Sequence, residues 1–223
     1  MQRALPYLAP YAVLLVSAEL ARWLPPSAEA PLLALRVLLP AALLVIAARR
    51  GAFPELAAGP GAAGAALDLG FGLAIAALWL APYGIWPALP RGEPFDPDGL
   101  GESLRPAWLA LRLLGFVAVS PLVEELFVRS FLHRVAEGWP DWAGFWQRPL
   151  AQPHRFAFLA TVVWFTLSHA PWEWWVAIPT AALLNGWLYL RGQLRSVWIA
   201  HAVANGAIGA LVAFGPWSLW SFL

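Results

Sequence analysis

The chain has 223 residues, 61% of them hydrophobic and 12% charged, with a formal net charge of +1 and no cysteine. A soluble domain carries about a quarter charged residues, so this chain has too little polar surface to cover a water-soluble globule of its size, and a bilayer is the solvent that suits it. The near-neutral balance gives no electrostatic case for a nucleic-acid partner, and the lack of Cys excludes thiol catalysis, disulfides and Cys-based metal sites.

A spanning helix needs about 20 largely apolar residues. After Met1-Gln2-Arg3 the stretch 5–24 meets that length, so it reads as a retained first helix rather than a cleaved signal peptide. Further spans follow at 31–48, 67–86, 106–136, 156–171, 172–190 and 196–214. The fourth is unusually long and the fifth short. The Gly- and Ala-rich stretch 51–66 leaves a loop, a surface helix or an eighth span open. Residues 91–105 hold Glu93, Asp96, Asp98 and Glu102 among Pro and Gly and read as a water-exposed loop. Residues 137–154, rich in Trp and Pro, belong at the interface, where Trp and Tyr prefer to sit. The expected fold is all-α: one polytopic membrane helix bundle of about seven helices filling 1–223, with a catalytic core at about 106–214.

All the Lys-or-Arg positions are Arg, which fits a GC-rich bacterial genome. With seven spans, the N-terminal side collects Arg3, Arg49, Arg50, Arg134, Arg148, Arg155, Arg191 and Arg195. The opposite side holds Arg22, Arg91, Arg105 and, by one reading of the span ends, Arg36. Arg-rich loops stay cytoplasmic. The N-terminus is therefore expected in the cytoplasm and the protein in a bacterial inner membrane.

An ionisable group at the centre of a span costs roughly 3 kcal/mol or more and is a functional candidate by default. Three clusters stand out. Glu124, Glu125 and Arg129 lie on the fourth span; Glu125 and Arg129 are four apart and share a face. Glu124 is turned by about 100° from Glu125, so one carboxylate is paired and the other is left for chemistry. A buried ion network with no chemistry is the rival reading. His169 follows Phe165 by one turn near the end of the fifth span, where a bond to a backbone carbonyl is the plain alternative. His201 and Asn205 share one side of the last helix, and hydrogen bonding between helices is theirs.

Depth tests whether the clusters meet. Counted from the cytoplasmic ends at 1.5 Å per residue, Glu124 lies about 18 Å in, His169 about 21 Å, His201 about 9 Å and Asn205 about 15 Å. These depths overlap. A carboxylate and a histidine around one water make a base that generates a nucleophile, and a second histidine with an amide can stabilise an oxyanion. Hydrolysis of an acyl bond is the chemistry this suggests, with Glu124, His169, His201 and Asn205 catalytic and Glu125 and Arg129 in structural support. Two histidines and a glutamate also make a reasonable zinc set, but the His-Glu-x-x-His pattern is absent. The metal-free, cofactor-free reading is favoured.

These residues resemble the type II CAAX prenyl endopeptidase family, also called the CAAX protease and bacteriocin-processing family of glutamic intramembrane proteases. Its Glu-Glu-x-x-x-Arg motif matches Glu124–Arg129 in order, Phe-x-x-x-His matches Phe165 and His169, and His-x-x-x-Asn matches His201 and Asn205. Ser120-Pro121-Leu122-Val123 before the first motif is similar as well. The resemblance implies a glutamate-dependent membrane endopeptidase in which Glu124 and His169 activate water and His201 and Asn205 form the oxyanion hole. Eukaryotic relatives remove the tripeptide after a prenylated Cys, and that substrate is not carried over. The chain is also similar to bacterial CAAX protease-related proteins found beside exosortase sorting systems. Implied partners are membrane lipid and a peptide or protein substrate, lipidated or membrane-anchored. Two competing functions are a non-catalytic scaffold or bacteriocin-immunity protein and a proton-coupled transporter. Both lose ground: a scaffold does not need His201 and Asn205 beside an ion pair, and no inverted repeat is visible.

Overall fold

The computed structural model describes residues 2–92, 103–214 and 221–222. Among these there is no strand, and seven long helices carry the fold. They are α1 (Leu5–Ala21), α2 (Glu29–Arg49), α3 (Ala62–Ile85), α4 (Arg105–Glu137), α5 (Arg155–Leu167), α6 (Trp174–Arg191) and α7 (Leu194–Phe214). Each of the seven stretches read as a span from hydropathy holds a helix. The stretch 51–66 contributes no eighth span: it holds a single short turn at Pro54–Leu56, and α3 already begins at Ala62. Most of the expected acidic loop, residues 93–102, lies outside the described residues.

Four helices, α2, α3, α4 and α7, are long and apolar enough to cross a membrane. Their outward faces are greasy: Leu38 on α2, Leu67 and Leu73 on α3, and Leu211 on α7 are all exposed. The interior is where the charge sits, with Asp68, Glu125 and Arg129 completely buried. That inversion is what lipid demands, because apolar outer faces cost nothing in hydrocarbon while each ion must find a partner inside. Asp68 on α3 finds Trp187 and Arg191 on α6 at 2.9 and 3.1 Å. Arg36 on α2 donates to Ser17 on α1, at 2.9 Å to its carbonyl oxygen. Asn185 on α6 donates to Thr161 on α5 at 2.8 Å. Gly186 beside it faces open space. Close packing falls at Gly72 on α3. A Cβ there would run into the carbonyl oxygen of Ala200 and lie 2.8 Å from Val203 Cβ on α7.

Contacts at the helix ends establish the up-and-down path. At one end Tyr7, Ser130 and Arg134 all donate to Glu55 Oε1, which ties α1 and α4 to the α2–α3 connection. Arg3 stacks over Trp146 at the same end. At the other end Tyr83, near the close of α3, donates to the carbonyl of Trp172 before α6 at 3.1 Å. Exposed Trp residues mark both ends, Trp139 and Trp142 on one side and Trp23 and Trp86 on the other. His133 is fully buried and shares a 2.8 Å hydrogen bond with Tyr189.

Two features of α4 and α5 shape the interior. α4 widens twice into π-helical turns, at Gly115–Val119 and Glu125–Leu132. Such turns are rare and gather at functional positions. α5 has only 13 residues, about 20 Å at the helical rise. The chain therefore turns back early, and His169 and Glu173 line the same cavity as Glu124 of α4 and His201 and Asn205 of α7.

Candidate active site

Glu124, His169, His201 and Asn205 line one cavity of about 90 Å³, together with Trp79, Phe116, Ser120, Phe165 and Glu173. A water molecule needs only about 10–15 Å³ on this scale, so the space admits a few waters or one small group. The four sequence candidates, spread over 82 positions of chain from 124 to 205, thus meet where the depth argument placed them. Among the described residues, no three His, Asp or Glu side chains stand as a group that could hold a metal ion.

Glu124 is held on one side only. Its Oε1 accepts from Ser120 Oγ, one turn earlier, at 2.6 Å. Its Oε2 is buried without a hydrogen-bond partner in the protein, and the residue lines the cavity. Glu125 is engaged instead. Its Oε1 accepts from Arg129 Nη1 at 3.2 Å and from His201 Nδ1 at 2.8 Å. The Glu125–Arg129 pair is the one the i, i+4 spacing predicts. The bond to His201 is an addition, and it makes the first and third motifs one network. Arg129 also lies 4.6 Å from the centre of the Phe165 ring, which explains why an aromatic stands four residues before His169.

Both histidines have one ring nitrogen assigned by what it faces. His169 Nδ1 lies 2.7 Å from the Phe165 carbonyl oxygen. A carbonyl only accepts, so Nδ1 carries the proton and a neutral His169 has its lone pair on Nε2. His201 Nδ1 faces the Glu125 carboxylate, which leaves Nε2 as its other polar atom. The plain alternative for His169, a helix-end histidine bonded to a carbonyl, accounts for Nδ1 and leaves Nε2 without an assigned role.

Asn205 is positioned by a vacancy in the α4 ladder. In the π-helical turn Ser120 N–H bonds to Gly115 O. The next donor in that register belongs to residue 121, which is Pro and has none. The Phe116 carbonyl is released and accepts from Asn205 Nδ2 at 2.8 Å. One amide hydrogen thus anchors Asn205, and the second hydrogen and Oδ1 are left over.

Three polar residues of the cavity, Ser120, Glu173 and Thr180, had no role in the sequence reading. Ser120 appeared only as part of a lead-in to the first motif. Glu173 stands among tryptophans in the sequence, and in the structure it is part of the cavity wall. Its spacing was a usable signal, since it follows His169 by four residues.

The family model described as type II CAAX prenyl endopeptidase Rce1-like matches residues 106–207, which include all of these motif residues. Residues 106–207 are a Rce1-like CAAX endopeptidase domain. The family is one of proteases, and together with the apolar helices this makes the chain an integral membrane peptidase of CAAX type. No curated protein and no solved structure matches the chain. The endopeptidase domain covers α4 to the middle of α7, and α1–α3 lie outside it. They still reach the site: Trp79 of α3 lines the cavity, and Tyr11 of α1 stacks on Phe127 of α4 with ring centres 3.9 Å apart.

Proposed function

We propose that the protein is a metal-free glutamate endopeptidase that cuts a peptide bond within the bacterial inner membrane, with the whole chain acting as one membrane domain around a core at 106–214. The observation that carries this reading is the convergence of Glu124, His169, His201 and Asn205 on one small cavity, with a free carboxylate oxygen on Glu124.

In the reaction, Glu124 Oε2 takes a proton from a water that His169 Nε2 helps to hold. The resulting hydroxide attacks the scissile carbonyl carbon. Negative charge then builds on the carbonyl oxygen, where preorganised donors act most strongly. Asn205 offers its second amide hydrogen there. His201 offers Nε2–H from the doubly protonated ring, whose charge Glu125 balances through Nδ1. Arg129 keeps Glu125 in place. The C–N bond breaks as the departing nitrogen is protonated. The substrate is a peptide, lipidated or membrane-anchored, that reaches the cavity from the bilayer.

The test is Glu124→Gln in the purified, lipid-reconstituted protein. Gln keeps the size of Glu and the acceptor for Ser120, so the fold should hold. Peptide cleavage is expected to fall by at least about 10³-fold, since both proton transfer and nucleophile generation are lost. Full activity in a folded Glu124→Gln protein would overturn the assignment. A scaffold or immunity role makes the opposite forecast, that function survives this change and His169→Ala alike.

A further inference from the structure

Glu173 is the group of the cavity that the proposed reaction leaves idle. It sits in the turn between α5 and α6, outside the helical spans, and reaches the site because α5 ends early. Its Oε2 accepts from the Ala170 N–H at 3.2 Å, one bond that fixes the side chain without occupying the carboxyl group fully. The charged or titratable groups that share the cavity with it are Glu124 from α4, His169 from its own turn and His201 from α7, and Trp79 faces it from α3. Glu124 and Glu173 line the same cavity, and the charge of Glu124 acts on Glu173 across it. Two carboxyl groups in one site can divide the work, because one ionises readily and the other keeps its proton.

Resting on the glutamate-protease reading, we propose that Glu173 is a further catalytic residue, the acid that protonates the departing amine. The proton balance then closes. Glu124 takes one proton from water, and the hydroxide bonds to the carbonyl carbon. The C–N bond breaks with its electron pair going to nitrogen, and Glu173 supplies the proton that turns the leaving group into a neutral amine. Glu124 passes its proton back to Glu173 through the cavity, and the acid product ionises on release.

The electrostatics of the turn suit this role. Burial raises the pKa of Glu173, and the charge of Glu124 adds to the rise. His169, the Ala170 N–H and the Trp79 indole act in the opposite direction, and the net shift is upward. The neutral acid thus persists to higher pH than for an exposed glutamate, and activity that needs it declines as pH climbs through the raised pKa.

The experiment uses the full chain in liposomes with two probes. One is a farnesyl-cysteine peptide with a free carboxyl terminus three residues on. The other carries a thioester at the same carbonyl, whose thiolate departs without a proton because thiols ionise near pH 8.5. Glu173→Gln keeps an acceptor for Ala170 and so preserves the turn. It is expected to lower kcat on the amide about 10²-fold with KM unchanged, as loss of a general acid does. It should abolish the alkaline limb of the amide pH profile and leave the thioester turning over at the wild-type rate. Equal losses on both probes, or no loss on the amide, would overturn the inference. Glu124→Gln should be inactive on both; if it is not, the protease reading itself fails. Should the wild type cleave neither probe, that reading fails for prenylated peptides, and infrared difference spectra decide on Glu173. A protonated-carboxyl C=O band at neutral pH that vanishes in Glu173→Gln supports it, and absence of that band overturns it.

Discussion

Adjacent glutamates seldom share a fate in a low-dielectric interior, and Glu124 and Glu125 illustrate why. Glu125 is enclosed by a cation and a histidine; Glu124 has a serine hydroxyl and open cavity. The helix spacing made the Glu125–Arg129 half of this legible, because an i, i+4 pair is local. It left the Glu125–His201 bond hidden, since that contact joins residues 76 positions apart. Glu173 was hidden for a different reason: its sequence neighbours are tryptophans, which suggest an interface, and only the shortness of α5 pulls it inward. The pair itself sets a stability prediction. Arg129→Ala strands a fully buried carboxylate, and removing one partner of a buried ion pair costs about 3–5 kcal/mol. Replacing both partners by Glu125→Gln and Arg129→Met should cost clearly less, since the two charges of the pair are removed together. Unfolding midpoints of the three proteins in one detergent check this; a double variant as unstable as Arg129→Ala would show that the pair is not the cause.

At the level of elements, the informative departures are those from regular helix. Hydropathy located α4 within a residue or two at each end and noticed its length, yet could not see that it is widened twice. The π-helical turn at Gly115–Val119 matters because Pro121 follows it. Register and missing donor together release the Phe116 carbonyl, and Asn205 uses it. Pro121→Ala supplies the absent N–H. The restored donor competes for the Phe116 carbonyl, frees Asn205 to rotate and weakens the oxyanion site. Loss of one oxyanion donor costs up to about 10²–10³ in kcat, and a misplaced one should cost part of that, about 10-fold, with KM little changed. Global stability should stay equal or rise, because a helical hydrogen bond is gained. Steady-state kinetics alongside a thermal-shift measurement separates these outcomes, and a large loss of stability would contradict the account.

For the molecule as a whole, the seven-helix path puts the starts of α1, α3, α5 and α7 at one end and their closes at the other. The end contacts agree: the Glu55 cluster and the Arg3–Trp146 stack gather at the first end, and Tyr83 meets Trp172 and Phe222 at the second. The first end also holds Arg49, Arg50, Arg134, Arg148, Arg155, Arg191 and Arg195, while Arg22, Arg91 and Arg105 mark the other. From this asymmetry the positive-inside rule predicts an orientation with the α1 start in the cytoplasm. The absence of cysteine makes the orientation directly measurable, because any thiol introduced is unique. Ser27 lies in the α1–α2 connection at the second end, and Gln147 lies in the α4–α5 connection at the first. Ser27→Cys should react with a membrane-impermeant maleimide on intact cells. Gln147→Cys should react only after the membrane is opened. The reverse pattern would invert the molecule. Substrates presented from the opposite side of the membrane would then be the ones to seek.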